Sequence, residues 1–438
     1  MNIRLINERL NWIFSILGHQ RTVGLSIVLA CWIKFNIVLF TYNTYTGTKI
    51  FFPIFLLILI GVTVRKWDRI VTLNPSLWCL MLTGFSFLLP IGYLTNPYHW
   101  DIYRQKALSL ISYLAIYYGV FYLTKHQRKR LFFFAYVFCL ISLAYVVLQV
   151  YFKISYTNGH MRSTFSGDRP FGILDDPDHS SGLLLIGLFY CVGLVFYSKK
   201  FLLALPILFG FLLGLQKFHS FGALFGLVGA LAFMIIGIIP TIFLGNRIKG
   251  VFLVFLAGWL SIFFSMILFH WLYTSDFMQM QTLLSAKEAS IWQRVKLIDW
   301  AVAVFLENWV FGMGLANDFN PEIHILYNSH SLGIVRNLHI HTSMLSAFAT
   351  TGIFGGGALV LLISCTIFRF SYLFVNQVNR SRKVFIFCMF SLFMTIQILS
   401  YSLQMLYSIS YWFSLILPFL LDFTLPEDEK TEENHPIY

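Results

Sequence analysis

The chain has 438 residues, of which 58% are hydrophobic and only 11% charged, with a mean hydropathy of +0.73. Soluble domains carry about 25% charged residues, so this composition excludes a water-soluble globular protein and points to an all-α polytopic membrane protein. The net charge of +12 raises the question of a nucleic-acid partner, which the placement of the charges answers below.

In chain order, the N-terminal stretch MNIRLINERLNWIFSILGHQR carries charges throughout and shows no cleavable signal peptide. About 12 transmembrane helices are then predicted, over 22–40, 50–64, 77–95, 107–124, 131–152, 181–197, 201–215, 220–239, 251–272, 342–368, 384–403 and 406–421. Several are near the minimum of about 17 residues needed to span a bilayer. All six cysteines fall inside these runs without paired spacing or a CxxC, and read as small hydrophobes.

Alternate connectors collect the basic residues. With the N-terminus in the cytoplasm, 19 of the 31 Lys and Arg lie on inner segments, including the short KHQRKR (125–130), and 11 lie on outer ones. This matches the positive-inside rule, so the positive charge reports topology and no nucleic acid need be invoked. The expected organisation is helices one to nine over 1–272 with an outer loop at 153–180, a large periplasmic loop at 273–341 that is partly helical, helices ten to twelve over 342–425, and a cytoplasmic tail at 426–438. The protein is expected in a bacterial inner membrane with both termini cytoplasmic.

The two long outer connectors hold the charges that topology does not explain. In the second, SAKEASIWQRVKLIDWAVAVFLENWVFGMG opens with a capping box, Ser285 and Glu288, and repeats Ile291, Trp292, Val295, Ile298 and Val302 at helical spacing until Gly312 and Gly314. This predicts an amphipathic helix at the outer membrane face, with Arg294 near its start. Its basic residues either touch lipid phosphates or serve a site. The loop ends in LHIHTSML, where His339 and His341 stand at the mouth of the tenth helix, either as interfacial residues or as reactive ones. In the first connector, Arg162 and Arg169 are either loop charges or ligand contacts, and the DDPDH run (175–179) reads as helix capping by Asp178, Ser180 and Ser181 rather than a metal site. Lys34 is the one charge within a span, and suits pairing, snorkelling or a phosphate contact.

The order Arg294, Trp300, ENWVFGMGLANDF, LHIHTSML, TTGIFGG resembles the C-terminal signature of the O-antigen ligase and O-antigen polymerase superfamily, and the HxH form is similar to the ligases. DRPFGILDDPDHSSG, with Arg169, is similar to that family's Arg-x-x-Gly before a middle helix. The resemblance implies an inverting, metal-independent glycosyltransferase of lipopolysaccharide biosynthesis that needs no cofactor. Its donor would be a glycan on undecaprenyl pyrophosphate, and its acceptor a sugar hydroxyl of lipid A–core in a ligase or another lipid-linked repeat in a polymerase. His341 would be the base and Arg294 the catalytic cation, with Arg169, His339, Arg162 and Lys34 as further substrate contacts. Two positions depart from the family: Phe221 stands where an Arg is expected, leaving Lys217 and His219 to supply charge, and Tyr401 stands where an acidic residue is expected. A transporter without chemistry is the reading from another class. It is disfavoured because the polar groups gather at one face and no internal repeat is visible.

These residue types suit the chemistry. Arg forks bind phosphate oxygens bidentately, donors preorganised around the leaving pyrophosphate stabilise its growing charge, and an imidazole titrating near neutrality is an efficient base for an attacking hydroxyl.

Overall fold

The computed structural model describes residues 53, 100–120, 123–152, 155–157, 160–162, 170, 177–198, 201–218, 220–243, 247–274, 297–315, 340, 342–403, 405–406 and 408–421. Its helices are α1 (Trp100–Val120), α2 (Lys125–Phe152), α3 (Pro177–Ser198), α4 (Phe201–Phe218), α5 (Phe221–Phe243) and α6 (Arg247–Thr274). A helix α7, described over 297–307, follows, and then α8 (Ser343–Asn376), α9 (Arg380–Ser402) and α10 (Ile409–Leu420). Five of these are long and apolar enough to cross a membrane. The nine predicted spans from 107 onward each coincide with a helix; the first three, with Lys34, lie outside the described residues.

Several boundaries differ from expectation, α1, α2, α6, α8 and α9 among them, for the same reason: charges inside a helix interrupt hydropathy without interrupting the backbone. α1 begins at Trp100 and so includes Arg104 and Lys106, which the hydropathy pattern assigned to a connector. α8 continues past Arg369, whose guanidinium stands 5.7 Å from the Tyr372 ring, to Asn376. The first outer connector also carries a small antiparallel pair, β1 (Ser155–Thr157) with β2 (His160–Arg162), in which Thr157 faces His160. The sequence signal for it is Asn158-Gly159, the dipeptide favoured in two-residue hairpin turns.

α9 is the hub. It packs against α3, α5, α6, α8 and α10 and is buried along almost its whole length. That is why it is apolar all round rather than along one stripe. Its closest approach is to α5 through Gly222 and Gly226, four residues apart. A Cβ on Gly226 would stand 2.7 Å from the Thr395 carbonyl oxygen, and one on Gly222 would strike the Ser402 hydroxyl. Small residues one turn apart let two membrane helices bring their backbones together in this way. Outer helices instead present large apolar side chains, such as Phe133 and Leu148 on α2 and Phe263 and Ile267 on α6. Among the described residues, Cys139, Cys191, Cys365 and Cys388 are free thiols, and only Cys365 is not fully buried.

The two ends of the bundle are distinct. At one, Arg128 at the start of α2 donates through Nη1 to the Phe419 carbonyl near the end of α10 (2.9 Å) and through Nε to the Leu123 carbonyl (3.0 Å). At the other, the starts of α3, α5, α8 and α10 meet the end of α9: the Cβ position of Gly182 lies 3.2 Å from the Ser410 hydroxyl, and that of Gly222 against Ser402.

Candidate functional site

That second end is organised by a break in α8. Gly352 has φ 65° and ψ −160°, a conformation open essentially to glycine alone, and it separates residues 343–351 from 353–376. Helix lengths show why a break is needed. α8 has 34 residues and α9 has 23, so at 1.5 Å per residue they run about 51 and 35 Å. Yet both ends of the pair are tied together. Lys383 stands 5.0 Å over the Phe374 ring at one end. At the other, Thr342 Oγ1 donates to the Tyr401 carbonyl (2.8 Å), and Ser343 Oγ donates to the Leu403 carbonyl (3.2 Å) and accepts from the Met405 amide (2.7 Å). Residues 353–376 alone match the length of α9, about 36 Å. The first nine residues of α8 therefore turn across the end of the bundle.

The break leaves backbone groups that a straight helix would pair internally, and buried groups of this kind need partners. The segment after α7 supplies them. Met313 N donates to the Ala349 carbonyl (2.8 Å), Gly314 N to the Thr350 carbonyl (2.9 Å), and Ile353 N to the Trp309 carbonyl (2.8 Å). Gly312 and Gly314 both have positive φ, 71° and 96°. A Cβ on Gly312 would strike the backbone at Thr350 and Thr351, and one on Gly352 the backbone at Val310 and Phe311. The Gly-x-Gly turn and the TTGIFGG run, far apart in sequence, thus form one latch.

α7 is fixed over this latch by Leu297, Trp300, Ala301 and Val304, which bury against Ile340, Ala349 and Met313. Ile298 packs with Phe225, Ile398 and Tyr401. The buried stripe therefore corrects the expected one. Ile298 belongs to it, but Val302 is exposed, and Trp300 and Val304 take the buried positions. Asp299, between the residues that contact Ile340 and Tyr401, holds its carboxylate close enough to act electrostatically on the Tyr401 hydroxyl.

Two further groups mark this end. Lys106, 8% exposed, is the one charged side chain among the described residues that is buried. Tyr113, seven residues on, stacks on Trp412 in the first turn of α10 (6.1 Å). Seven residues of helix are about 10 Å, so Lys106 sits near the level of the turn joining α9 to α10. Lys217 is exposed in the last turn of α4, just before Ser220, whose hydroxyl accepts from the Ala223 amide (3.3 Å) and caps α5. Phe221 is the first residue of α5.

Of the residues singled out from sequence, Lys217 is described with its side chain, and Arg162 lies in β2 opposite Ser155. Arg169, His219, Arg294, His339, His341 and Lys34 lie outside the described residues. Their nearest described neighbours in the chain, apart from those of Lys34 and Arg169, are Ser220, Leu297, Ile340 and Thr342, all buried at this end. The capping expected of Asp178, Ser180 and Ser181 is corrected. α3 starts at Pro177, a favoured first helical residue, which puts all three inside the helix, where Ser181 Oγ donates back to the Asp178 carbonyl (2.6 Å). Asp178 still complements the helix dipole from the first turn. In the sequence Lys106 counts only as one of the outer basic residues, and Asp299 is not singled out.

The fold defines a helical membrane-embedded protein with a structured end built from α3, α5, α7, α8, α9 and α10. No protein-family profile and no curated protein sequence matches the chain.

Proposed function

We propose that the chain is an O-antigen ligase-like glycosyltransferase that moves a glycan from undecaprenyl pyrophosphate to a sugar hydroxyl of lipid A–core at the periplasmic face of a bacterial inner membrane. The observation that carries this reading is the latch. The Gly-x-Gly turn and the tenth predicted span, between which His339 and His341 fall in the sequence, are bonded to each other at one end of the bundle, and Arg294 precedes Leu297 of α7, which packs on the same contact, by three residues in the chain. The twelve spans and the basic asymmetry expected from the sequence support an outward-facing position for that end. The acceptor oxygen attacks the anomeric carbon, the bond to the pyrophosphate oxygen breaks with inversion, and the electron pair leaves on the pyrophosphate. His341 takes the acceptor proton. Arg294 and Arg169 fork onto the phosphates. The buried Lys106, with Lys217, His219, Arg162 and Lys34, adds positive charge on the donor side, and His339 binds acceptor or orients its neighbour.

Reconstitution of purified protein with lipid-linked glycan and either lipid A–core or a second lipid-linked glycan tests this. Glycan on lipid A–core is the expected product, chain extension would make it a polymerase, and no product with either acceptor would sink the proposal. Arg294→Lys should be nearly as inactive as Arg294→Ala, because a point charge does not reproduce a bidentate fork; full activity in the Lys variant would leave only a generic electrostatic role.

Orientation is tested separately. Single cysteines at Asn158 and Asn320 should react with a membrane-impermeant thiol reagent added from the periplasm, whereas one at Gln127 should not. Labelling at Gln127 would invert the topology and remove the site from the donor's side of the membrane.

A further inference from the structure

α7 and the turn that follows are apolar on two sides. One side is buried against α8 and Tyr401 of α9. The other leaves Leu306 67%, Trp309 55% and Phe311 48% exposed. A loop in water does not gather three such side chains without a partner. Phe311 stacks on Phe354 of α8 at 5.8 Å and 24°. Phe354 is the first of three exposed residues at seven-residue spacing on that helix, Phe354, Leu361 and Phe368, and α8 is long and apolar enough to cross a membrane. The exposed edge of the loop is therefore continuous with the outward stripe of a membrane helix. The length argument fixes its depth. Residues 353–376 match α9 end to end, so Phe354 and Phe311 stand where the hydrocarbon layer meets the headgroups, and that level favours Trp and other aromatic rings. Exposed Asp299 and Glu307 on the same element keep the insertion shallow.

We infer that residues 306–311 form a membrane-inserted edge, with Leu306, Trp309 and Phe311 seated among the acyl chains of the adjacent leaflet's phospholipids. Residues 297–315 then form a lipid-bound element that holds the α8 break at the membrane surface. Its occupant is bulk phospholipid, so binding requires no glycosylated donor, and the inference stands whatever reaction the protein performs.

Photocrosslinking tests it. p-Benzoylphenylalanine is placed singly at Leu306, Phe311, Phe263 or Lys129, and the full-length protein is irradiated in phosphatidylethanolamine–phosphatidylglycerol vesicles and weighed by mass spectrometry. Phe263, exposed on α6, is the lipid-facing control, and Lys129, exposed at the start of α2, the aqueous one. Leu306 and Phe311 should each gain the mass of one phospholipid, as Phe263 does. If they behave as Lys129 does, or link to a second protein chain instead, the inference is overturned. Brominated phospholipids give an independent readout: Trp309→Phe should lower the quenchable share of the tryptophan fluorescence. An unchanged quenched fraction counts against insertion even if a benzophenone variant fails to fold.

Discussion

Replacing His341 by Ala is expected to cut glycan transfer by about 10² to 10⁴, the usual contribution of a general base, while donor binding persists. In the proposed reaction the donor is held by cations and by its lipid chain, neither of which the substitution touches. The lost step is removal of the acceptor proton. Since only the neutral imidazole accepts a proton, the parent rate should fall toward acid pH, and that acidic limb should vanish in the variant. His339→Ala should cost less. Asp299→Asn, between the Ile298 that packs with Tyr401 and the Trp300 that covers Ile340, should slow turnover more than it weakens donor binding, and Asp299→Glu should restore part of the rate. Single-turnover kinetics with labelled donor separates the two effects. A parental rate in His341→Ala together with an inactive His339→Ala would move the base two residues along the chain.

The helices behind the nine spans expected from 107 onward were legible because a long apolar run has few other uses, and five of the helices found there are long and apolar enough to cross a membrane. Their ends were less so, because Arg104, Lys106 and Arg369 lie within helices that hydropathy stops at a charge. The phase of α7 was misjudged for a different reason. LIDWAVAVFL is apolar on both faces, so periodicity alone does not say which stripe turns inward, and the buried one was chosen by Ile340 and Ala349 across the fold. Gly312, Gly314 and the TTGIFGG run each stood out in the sequence, but their meeting did not. It consists of three hydrogen bonds between backbones about 40 residues apart in the chain, and backbone partners leave no trace in side-chain pattern. Of the candidate site, the histidines, Arg169 and Arg294 are named by sequence alone and lie outside the described residues, while Lys106 stands out by its burial and Asp299 by its place between Ile298 and Trp300.

The latch also gives the largest expected effect on stability. Gly352→Ala forces an L side chain into a glycine-only region at a cost of about 1–3 kcal/mol. It also drives the new Cβ into the backbone at Val310 and Phe311, which cannot withdraw without breaking the hydrogen bonds from Met313, Gly314 and Ile353. Together the loss should exceed about 3 kcal/mol, at the upper end for single substitutions. Gly312→Ala should behave similarly, because it meets the other half of the same contact. Gly357, in the same helix, has nothing within 4 Å of its Cβ position. Gly357→Ala should therefore be neutral or stabilising by up to about 1 kcal/mol, as expected for glycine in an unhindered helix interior. Thermal unfolding of the three variants in detergent decides the matter. A large drop in Tm for Gly352→Ala and Gly312→Ala with none for Gly357→Ala locates the break and its partner, whereas equal Tm values for all three would mean that α8 runs straight through Gly352.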